Sequence, residues 1–316
     1  MAVRTRTLAT AVSAPVRTGA LTAQRHRTLW GDVRQRFLRH RLAAAGAVAF
    51  LLLVLATLLG PLVYHVRIQD VDFAAATSPP ALAHPFGTDD LGQDILARAL
   101  WGGRISIAVG LAAMLIAITL GTLIGSIAGF FGHMADTLLM RLTDVFISIP
   151  QLPLLLLIIY LFRDALTKRI GTGAGIFLLL VGVIGGLNWM STARLVRAGF
   201  LSTREKEFVV AARCIGAPAV RQITRHILPN VVSPVIVAGT LAIGSAIIAE
   251  STLSFLGLGF PPDVPTWGRM LFDAQNYLTI APWMAIFPGL LIFLAVLSIN
   301  YVGDGLRDAL DPQLVV

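Results

Sequence analysis

The sequence predicts an all-α, polytopic membrane protein with six transmembrane helices and both termini in the cytoplasm. The first observation is composition: of 316 residues, 56% are hydrophobic and 13% are charged, about half the charged fraction of a soluble domain. The second is that apolar stretches of about 20 residues recur along the chain, which is the length needed to cross a hydrocarbon core of about 30 Å. The third is the uneven distribution of Lys and Arg between alternate connecting segments, which sets the orientation in a bilayer.

The N-terminal 41 residues carry the whole net charge of +8, because they hold nine Arg and one acid while the remainder holds 16 basic and 16 acidic residues. Residues 1–26 show no apolar periodicity, so we predict a disordered, basic cytoplasmic tail. In residues 27–41, Leu29, Val33 and Phe37 recur at intervals of four. That spacing predicts an amphipathic interfacial helix whose Arg side chains meet anionic lipid. The charge excess therefore needs no nucleic-acid partner.

The first span is predicted over residues 42–64, a run of 23 residues without a charge. A cleaved signal peptide or an organellar transit peptide is the alternative. The apolar run is too long for a signal sequence, and further spans follow, so we favour a transmembrane helix. Residues 65–104 are then the predicted extracytoplasmic segment.

A core of five further helices is predicted over residues 105–303, followed by a cytoplasmic C-terminal tail, residues 304–316. The second span carries Gly121, Gly125 and Gly129 on one helix face, which favours close packing against another helix. The third contains Pro150 and Pro153, so its first turn is predicted to be irregular. The five spans are predicted at residues 105–131, 146–162, 176–190, 231–249 and 284–301.

Orientation follows from the count of Lys and Arg on each side. With the amino terminus inside, the inner segments hold 18 of these residues and the outer segments hold seven. Because positive charge is enriched on the cytoplasmic side, both termini are predicted to be cytoplasmic.

The search for catalytic chemistry gives no candidate. The two lysines, Lys168 and Lys206, lie outside any G-x-x-x-x-G-K-[ST] phosphate loop, so the chain is not predicted to bind ATP through such a loop. Cys214 is the only cysteine, and the six histidines show no metal-ligand spacing. We therefore predict a chain that is not an enzyme and has no metal or cofactor of its own.

Two sets of acidic residues need an interpretation. Asp89, Asp90 and Asp94 could indicate a cation site, but their spacing does not match a calcium loop; a helix capped by Thr88 with acids in its first turn is the favoured alternative. Glu250 lies at the end of an apolar run, where an ionisable group is a functional candidate. It lies about 30 Å from the start of that span, so a structural anchor near the outer interface is the favoured interpretation.

The most informative segment is the predicted inner loop 194–230. A helix is predicted from residue 207 to 215, with an apolar face that includes Phe208 and Ile215. Gly216 is predicted to stop it, and Pro218 and Pro229 to begin and end a second short helix. Such a basic helical hairpin is typical of a docking element, although composition alone would favour an ordinary loop that follows the positive-inside pattern.

Residues 207–230, EFVVAARCIGAPAVRQITRHILPN, resemble the EAA loop of bacterial ABC-importer permeases. Ala211, Ala212, Gly216 and Pro229 match its pattern, and Val210 occupies the position of the motif's Glu. Three further segments resemble the C-type permease subunit of dipeptide, oligopeptide and nickel importers: HPFGTDDLGQD at 84–94, ESTLSFLGLGFPPDVPTWG at 250–268 and NYVGDGLRDALDP at 300–312. The resemblance implies an ATPase-coupling loop made of Glu207, Val210, Ala211, Ala212, Gly216, Ala217, Pro218, Arg221 and Pro229.

The resemblance further implies that this chain is half of a translocation pathway in a bacterial plasma membrane. Its expected partners are a B-type permease subunit, two cytoplasmic ATPases or one fused ATPase, and an extracytoplasmic binding protein that delivers substrate. ATP and Mg²⁺ would be bound by the ATPases. Di- and oligopeptides are the expected substrates, and nickel, glutathione or oligosaccharides are the alternatives. No residue is assigned to substrate binding.

Two rivals from other classes stay open on the residues alone. A secondary transporter or channel would more often carry inverted repeats or several buried ionisable groups, whereas only Glu250 is near a membrane run. A membrane receptor or scaffold could carry a basic loop but would not account for the four motif segments.

Overall fold

The computed structural model describes residues 29–310. The predicted disordered tail, 1–26, lies outside the described residues, as do the last six residues of the predicted C-terminal tail. The described chain forms α-helices joined by short connections, with no strand in this range beyond an isolated bridge between Thr88 and Asp94. The predicted all-α class is confirmed.

Twelve α-helices follow one another within the described range. They are α1 (Leu29–Arg39), α2 (Arg41–Val63), α3 (Ile95–Phe131), α4 (His133–Ser148), α5 (Gln151–Ile170), α6 (Thr172–Gly186), α7 (Trp189–Arg204), α8 (Glu207–Cys214), α9 (Ala219–Arg221), α10 (Leu228–Phe255), α11 (Trp267–Ala274) and α12 (Trp283–Leu310). A 3₁₀ turn, Phe73–Ala75, precedes α3, and a π-helical segment, Gln222–Ile227, joins α9 to α10.

Five stretches of the described chain are long and apolar enough to cross a membrane. They are Arg41–Val63, Ile95–Phe131, Thr172–Arg204, Ala219–Phe255 and Trp283–Leu310. A sixth crossing requires α4 and α5 together, and these two helices are bent by 88° at the break between them. The polytopic prediction is confirmed, with five to six crossings by length and composition.

The second span begins ten residues earlier than the sequence predicts, at Ile95. Asp94 is its N-cap: the Asp94 carboxylate accepts the backbone N–H of Ala97 at 2.8 Å. The prediction that Thr88 caps this helix is wrong, because the Thr88 hydroxyl accepts the backbone N–H of Ser78 at 2.8 Å and so binds the segment before α3 instead. The predicted extracytoplasmic segment therefore contains the first turns of α3.

The predicted third and fourth spans also differ from the helices in the structure. Phe146 belongs to α4, and Pro150 is the N-cap residue of α5, because a proline needs no N–H partner where a helix begins. The fourth predicted span is broken at Leu187 and Asn188, between α6 and α7.

The prediction that Pro229 ends a short helix is wrong. The chain remains helical from Ala219 through the π segment to Phe255, and Pro229 lies in the first turn of α10, where a missing N–H is tolerated. The predicted tail 304–316 likewise begins inside a helix, because α12 continues to Leu310.

Helix α3 forms the centre of the bundle and packs against α2, α6, α7 and α10. At one end of the bundle, residues 64–94 lie against residues 256–282; we call these two segments the loop layer. At the opposite end lie residues 205–227, which we call the α7–α10 connection. Helices α1 and α12 also meet at this end. His40, which follows α1, caps α2, and the Nε2 atom of His40 lies 3.6 Å from a carboxylate oxygen of Asp308 in α12.

Candidate functional site

The α7–α10 connection begins with α8, which ends in a well-defined turn. Gly216 has a φ of +79°, a conformation that costs little only for glycine. The N–H of Gly216 donates to the carbonyl of Arg213, and the N–H of Ala217 donates to the carbonyl of Ala212, both at 3.0 Å. This pair of hydrogen bonds is a Schellman motif, and it turns the chain toward Pro218, the N-cap residue of α9.

The buried face of α8 differs from the predicted one. Val209 and Ala212 are buried, whereas Phe208 and Ile215 are exposed. Val209 packs into an apolar cluster with residues of α7 and α10, among them Phe200 and Val231. The spacing of apolar residues could not predict this, because apolar residues cover nearly the whole circumference of α8 and only the neighbouring helices select which side is covered.

The α7–α10 connection consequently exposes apolar side chains. Ile215 is 86% exposed and Val220 is 71% exposed, with Phe208 and Val210 beside them about half as accessible. The remaining residues of the predicted coupling loop, namely Glu207, Ala211, Ala217, Pro218, Arg221 and Pro229, are exposed or half-buried. An apolar surface of this kind at the end of a bundle is typical of a protein interface.

Gly121, Gly125 and Gly129 of α3 lie directly against α7. A Cβ atom added at these positions would lie 2.7, 2.4 and 2.9 Å from the carbonyl oxygens of Trp189, Ala193 and Arg197, respectively. These distances are too short for any side chain, so the two backbones pack as closely as glycine allows. Helix α7 leads into α8, so this contact joins the α7–α10 connection to α3.

Two ion pairs link α4 to α7. Asp136 accepts two hydrogen bonds from the Arg197 guanidinium, one of them from Nη2 at 2.6 Å. Asp144 accepts a hydrogen bond from Arg194 Nη2 at 2.6 Å. The spacing of Arg141 and Asp144, three residues apart, predicts a pair within α4. In the structure Asp144 binds Arg194 of α7 instead.

Glu250 is completely buried between α10, α3 and the start of α11. Its Oε1 accepts a hydrogen bond from the Ser254 hydroxyl at 2.8 Å, and its Oε2 accepts one from the Ser106 hydroxyl at 3.0 Å. The Ser106 hydroxyl oxygen lies 3.4 Å from the backbone nitrogen of Trp267. The carboxylate thus joins two spans to the loop layer, which is the geometry of an anchor.

The loop layer is organised around a buried cation, Arg98. Its guanidinium lies 3.6 Å from carboxylate oxygens of both Asp89 and Asp273, and it donates to the side chain of Gln93. Burial raises the pKa of Asp89 and of Asp273 above the usual value, and the nearby arginines offset that effect in part. The sequence offered no direct signal for the Arg98–Asp273 contact, because the two residues lie 175 positions apart.

Asp89 and Asp94, two of the three acids singled out in the sequence, make contacts that hold the loop layer together. Asp89 accepts the backbone N–H groups of Leu91 and Gln93 at 3.0 and 2.8 Å. Asp94 accepts from the Tyr64 hydroxyl at 2.8 Å and lies 2.9 Å from His84 Nδ1. Across residues 29–310, no three His, Cys, Asp or Glu side chains are grouped so as to hold a metal ion.

The fold and these contacts define a multi-pass α-helical membrane protein with one structured, exposed connection at one end and, at the other, a loop layer joined by hydrogen bonds and ion pairs. Comparison with known proteins specifies the class. Residues 121–316 match the family described as binding-protein-dependent transport system inner membrane component, and residues 28–80 match the N-terminal TM domain of oligopeptide transport permease C. The chain belongs to the family of binding-protein-dependent transport system inner membrane components, and it is a multi-pass inner-membrane permease subunit.

Relatives align over almost the whole chain. The oligopeptide transport system permease protein OppC of Haemophilus influenzae is 37% identical over 91% of this chain and 89% of its own length. The protein of the same name from Escherichia coli is 39% identical over 91% and 92%. The dipeptide transport system permease protein DppC of Alkalihalophilus pseudofirmus is 36% identical over 90% of each chain.

Proposed function

We propose that this chain forms half of the translocation pathway of an ATP-driven importer for di- and oligopeptides. The observation that carries this proposal is the match of residues 121–316 to a family of binding-protein-dependent transport components. A B-type permease subunit would supply the other half of the pathway, and an extracytoplasmic binding protein would deliver the peptide. The names of the relatives, which specify oligopeptides and dipeptides, favour peptides over nickel, glutathione or oligosaccharides.

Energy would come from two ATPase subunits, or one fused ATPase, bound at the α7–α10 connection. ATP and Mg²⁺ would be held by those partners, since the sequence has no phosphate loop of the G-x-x-x-x-G-K-[ST] type. The exposed Ile215 and Val220 side chains suit insertion into an apolar groove of a partner. Buried Val209 fixes α8 to α7 and α10, so a displacement of α8 would move both spans.

The distribution of Lys and Arg supports docking of the ATPase at the α7–α10 connection. The 18 Lys and Arg on the predicted inner side, against seven on the outer side, favour a cytoplasmic α7–α10 connection. The loop layer would then face the binding protein. Exposed arginines on α1, such as Arg34 and Arg39, would lie at the surface of anionic lipid.

The test is association with the ATPase. We expect Ile215→Asp and Val220→Asp, made together, to abolish co-purification of the ATPase from cells that express the complete transporter. A charge placed in an apolar contact loses the burial of that contact and must itself be desolvated. Membrane insertion and the thermal stability of the variant should be unchanged, because both side chains are exposed in the isolated chain.

Leu82→Asp is the matched control. Leu82 is fully exposed in the loop layer, at the other end of the bundle, so this variant should retain the ATPase. Retention of the ATPase by the Ile215→Asp, Val220→Asp chain would contradict the proposed docking surface. Failure of the unaltered chain to co-purify with any ATPase would contradict the assignment to an ATP-driven importer.

A further inference from the structure

A cavity of about 330 Å³ lies where two interruptions of the helical backbone meet. One interruption is the 88° bend between α4 and α5, at Ile149 and Pro150. The other is the break between α6 and α7, at Leu187 and Asn188. The two breaks are joined by a hydrogen bond of 3.2 Å from Gln151 Nε2 to Asn188 Oδ1.

The cavity lies within the depth of the spans. The carbonyl oxygen of Trp189, the first residue of α7, packs against Gly121 of α3, and Gly121 is ten residues from the end of α3 at Phe131. That separation corresponds to about 15 Å along the helix. Irregular backbone at membrane depth is tolerated where it is buried in protein or lines a water-filled cavity. Three of the lining residues, Ile149, Gln151 and Ser191, are exposed at the surface of the chain. The cavity is therefore open on the side that they form.

The lining combines uncharged polar groups with apolar walls. Gln151, Asn188 and Ser191 supply hydrogen-bond donors and acceptors. The apolar side chains are Phe146, Ile147, Ile149, Leu154, Leu187 and Met190. Arg194 completes the lining, and its charge is directed toward Asp144. The volume is at the lower end of the range for sites that bind small molecules.

We propose that this cavity is the substrate-contact site of the chain and that it binds the main-chain amide groups of the passing peptide. This inference rests on the proposed function, because it requires that peptides cross here. Primary amide and hydroxyl groups can both donate to and accept from a peptide bond. Apolar walls accept side chains of different shape without a fixed partner, which suits a substrate whose constant feature is its main chain.

The first experiment measures uptake of trialanine by the complete transporter in proteoliposomes, together with the ATP hydrolysed. We expect Gln151→Leu to lower the peptide transported per ATP by about 5- to 10-fold, the effect of one lost hydrogen bond. Ser191→Trp, which fills the cavity, should lower it further. ATPase activity and co-purification of all subunits should be retained. Thr119→Trp, on the exposed face of α3 and outside the cavity, is the control and should transport normally.

The second experiment detects occupancy directly. Cys214 is the only cysteine, so a Cys214→Ser chain carrying Ser191→Cys has one thiol, inside the cavity. We expect trialanine to slow labelling of that thiol by a small hydrophilic reagent several-fold during turnover. A dipeptide should protect similarly, because the proposed contact is with the main chain.

Three outcomes separate the possible failures. If the unaltered transporter takes up no peptide, the proposed function fails, and this site fails with it. If it takes up trialanine and the Gln151→Leu and Ser191→Trp variants do so equally well, with no protection of the thiol, the site alone is overturned. If those variants lose the partner permease on purification, the cavity is a subunit interface, and the inference is also overturned.

Discussion

At the scale of single residues, Glu250 shows how an ionisable group can be retained inside a membrane bundle. Both carboxylate oxygens accept hydrogen bonds from serine hydroxyls, and one of those serines also contacts the backbone of α11. A buried polar group without such partners would be costly. The contacts require acceptor oxygens at this position more than they require a negative charge.

Replacement of Glu250 tests this interpretation. Glu250→Gln keeps one acceptor oxygen, and its amide N–H can donate to the serine hydroxyl that loses an acceptor, so the melting temperature of the purified protein and its peptide uptake should remain close to those of the unaltered chain. Glu250→Leu leaves the hydroxyls of Ser106 and Ser254 without this partner and should lower the free energy of unfolding by about 1–3 kcal/mol. Loss of uptake in Glu250→Gln at unchanged melting temperature would instead assign the carboxylate a direct part in transport.

At the scale of helices, the most extensive contact between two elements of the described chain is that between α3 and α7. The three glycines of α3 recur at intervals of four residues, and so do the carbonyl groups that they contact on α7. Two helices with this matched spacing pack along a common line. Since α7 continues into the connection that we propose as the ATPase docking surface, we expect this contact to link that surface to the centre of the bundle.

Adding one methyl group to this contact should disrupt it. In Gly125→Ala, the new Cβ would lie 2.4 Å from the carbonyl oxygen of Ala193. Backbone atoms cannot move aside cheaply, so we expect a loss of about 1–3 kcal/mol in stability, measured as a lower melting temperature in detergent. Gly182→Ala is the control, because a Cβ there meets no atom within 4 Å. Equal melting temperatures for the two variants would show that the α3–α7 contact yields without cost.

The loop layer is held by buried charges. Arg98 is buried between Asp89 and Asp273, and removal of one partner from a buried ionic cluster typically costs about 3–5 kcal/mol. Arg98→Met should therefore loosen residues 64–94, measured as faster amide hydrogen exchange in that segment. Arg104→Met offers a control, because Arg104 binds the carbonyls of Thr57 and Leu58 rather than an acid of this cluster.

The direction of the pH dependence follows from the pKa shifts. Burial raises the pKa of Asp89 and Asp273, so the folded loop layer binds protons more readily than the unfolded chain does. The stability of the loop layer therefore falls as pH rises from the ordinary pKa of these carboxyls through their raised values. Loss of the Arg98 charge should raise both pKa values further. The ratio of the exchange rate in Arg98→Met to that in the unaltered chain, taken at the same pH, should therefore be smaller at pH 5 than at pH 7.5. The same ratio at both pH values would contradict the proposed contribution of Asp89 and Asp273.

At the scale of the whole molecule, the bundle has two unlike ends. One is the loop layer, in which Asp89 and Asp273 lie against Arg98 of α3. The other is the α7–α10 connection, with exposed apolar side chains and the only cysteine of the chain. The distribution of Lys and Arg predicts that the cysteine-bearing end is cytoplasmic.

Cys214 makes that orientation measurable. It is exposed in the α7–α10 connection, so in cells that express this chain without the ATPase a membrane-impermeant maleimide should label it after permeabilisation but not in intact cells. A Leu82→Cys, Cys214→Ser chain carries its only thiol at the opposite end, and intact cells should label it provided that the reagent reaches the outer face of the membrane. The reverse pattern would invert the predicted topology.

The sequence alone determined the class of this protein. A helix surrounded by lipid must be apolar over the thickness of the hydrocarbon core, and this requirement is visible in the composition and in the length of the apolar runs. An uncharged stretch such as residues 42–64 must lie in hydrocarbon whatever it packs against. Gly216 could be assigned as a helix end for a similar reason, since the left-handed conformation is a local property of the backbone.

Only the tertiary structure decided which neighbours these elements meet. Apolar residues surround α8 on most sides, so the choice of Val209 as its buried anchor came from α7 and α10. Pro229 could not be assigned as a helix start or end without the π segment before it, and the partner of Asp144 could not be assigned without α7. The cavity at Gln151 and Asn188 exists because two helix breaks, 37 residues apart, meet in space. Contacts between distant segments depend on packing, and local sequence preferences do not encode that packing.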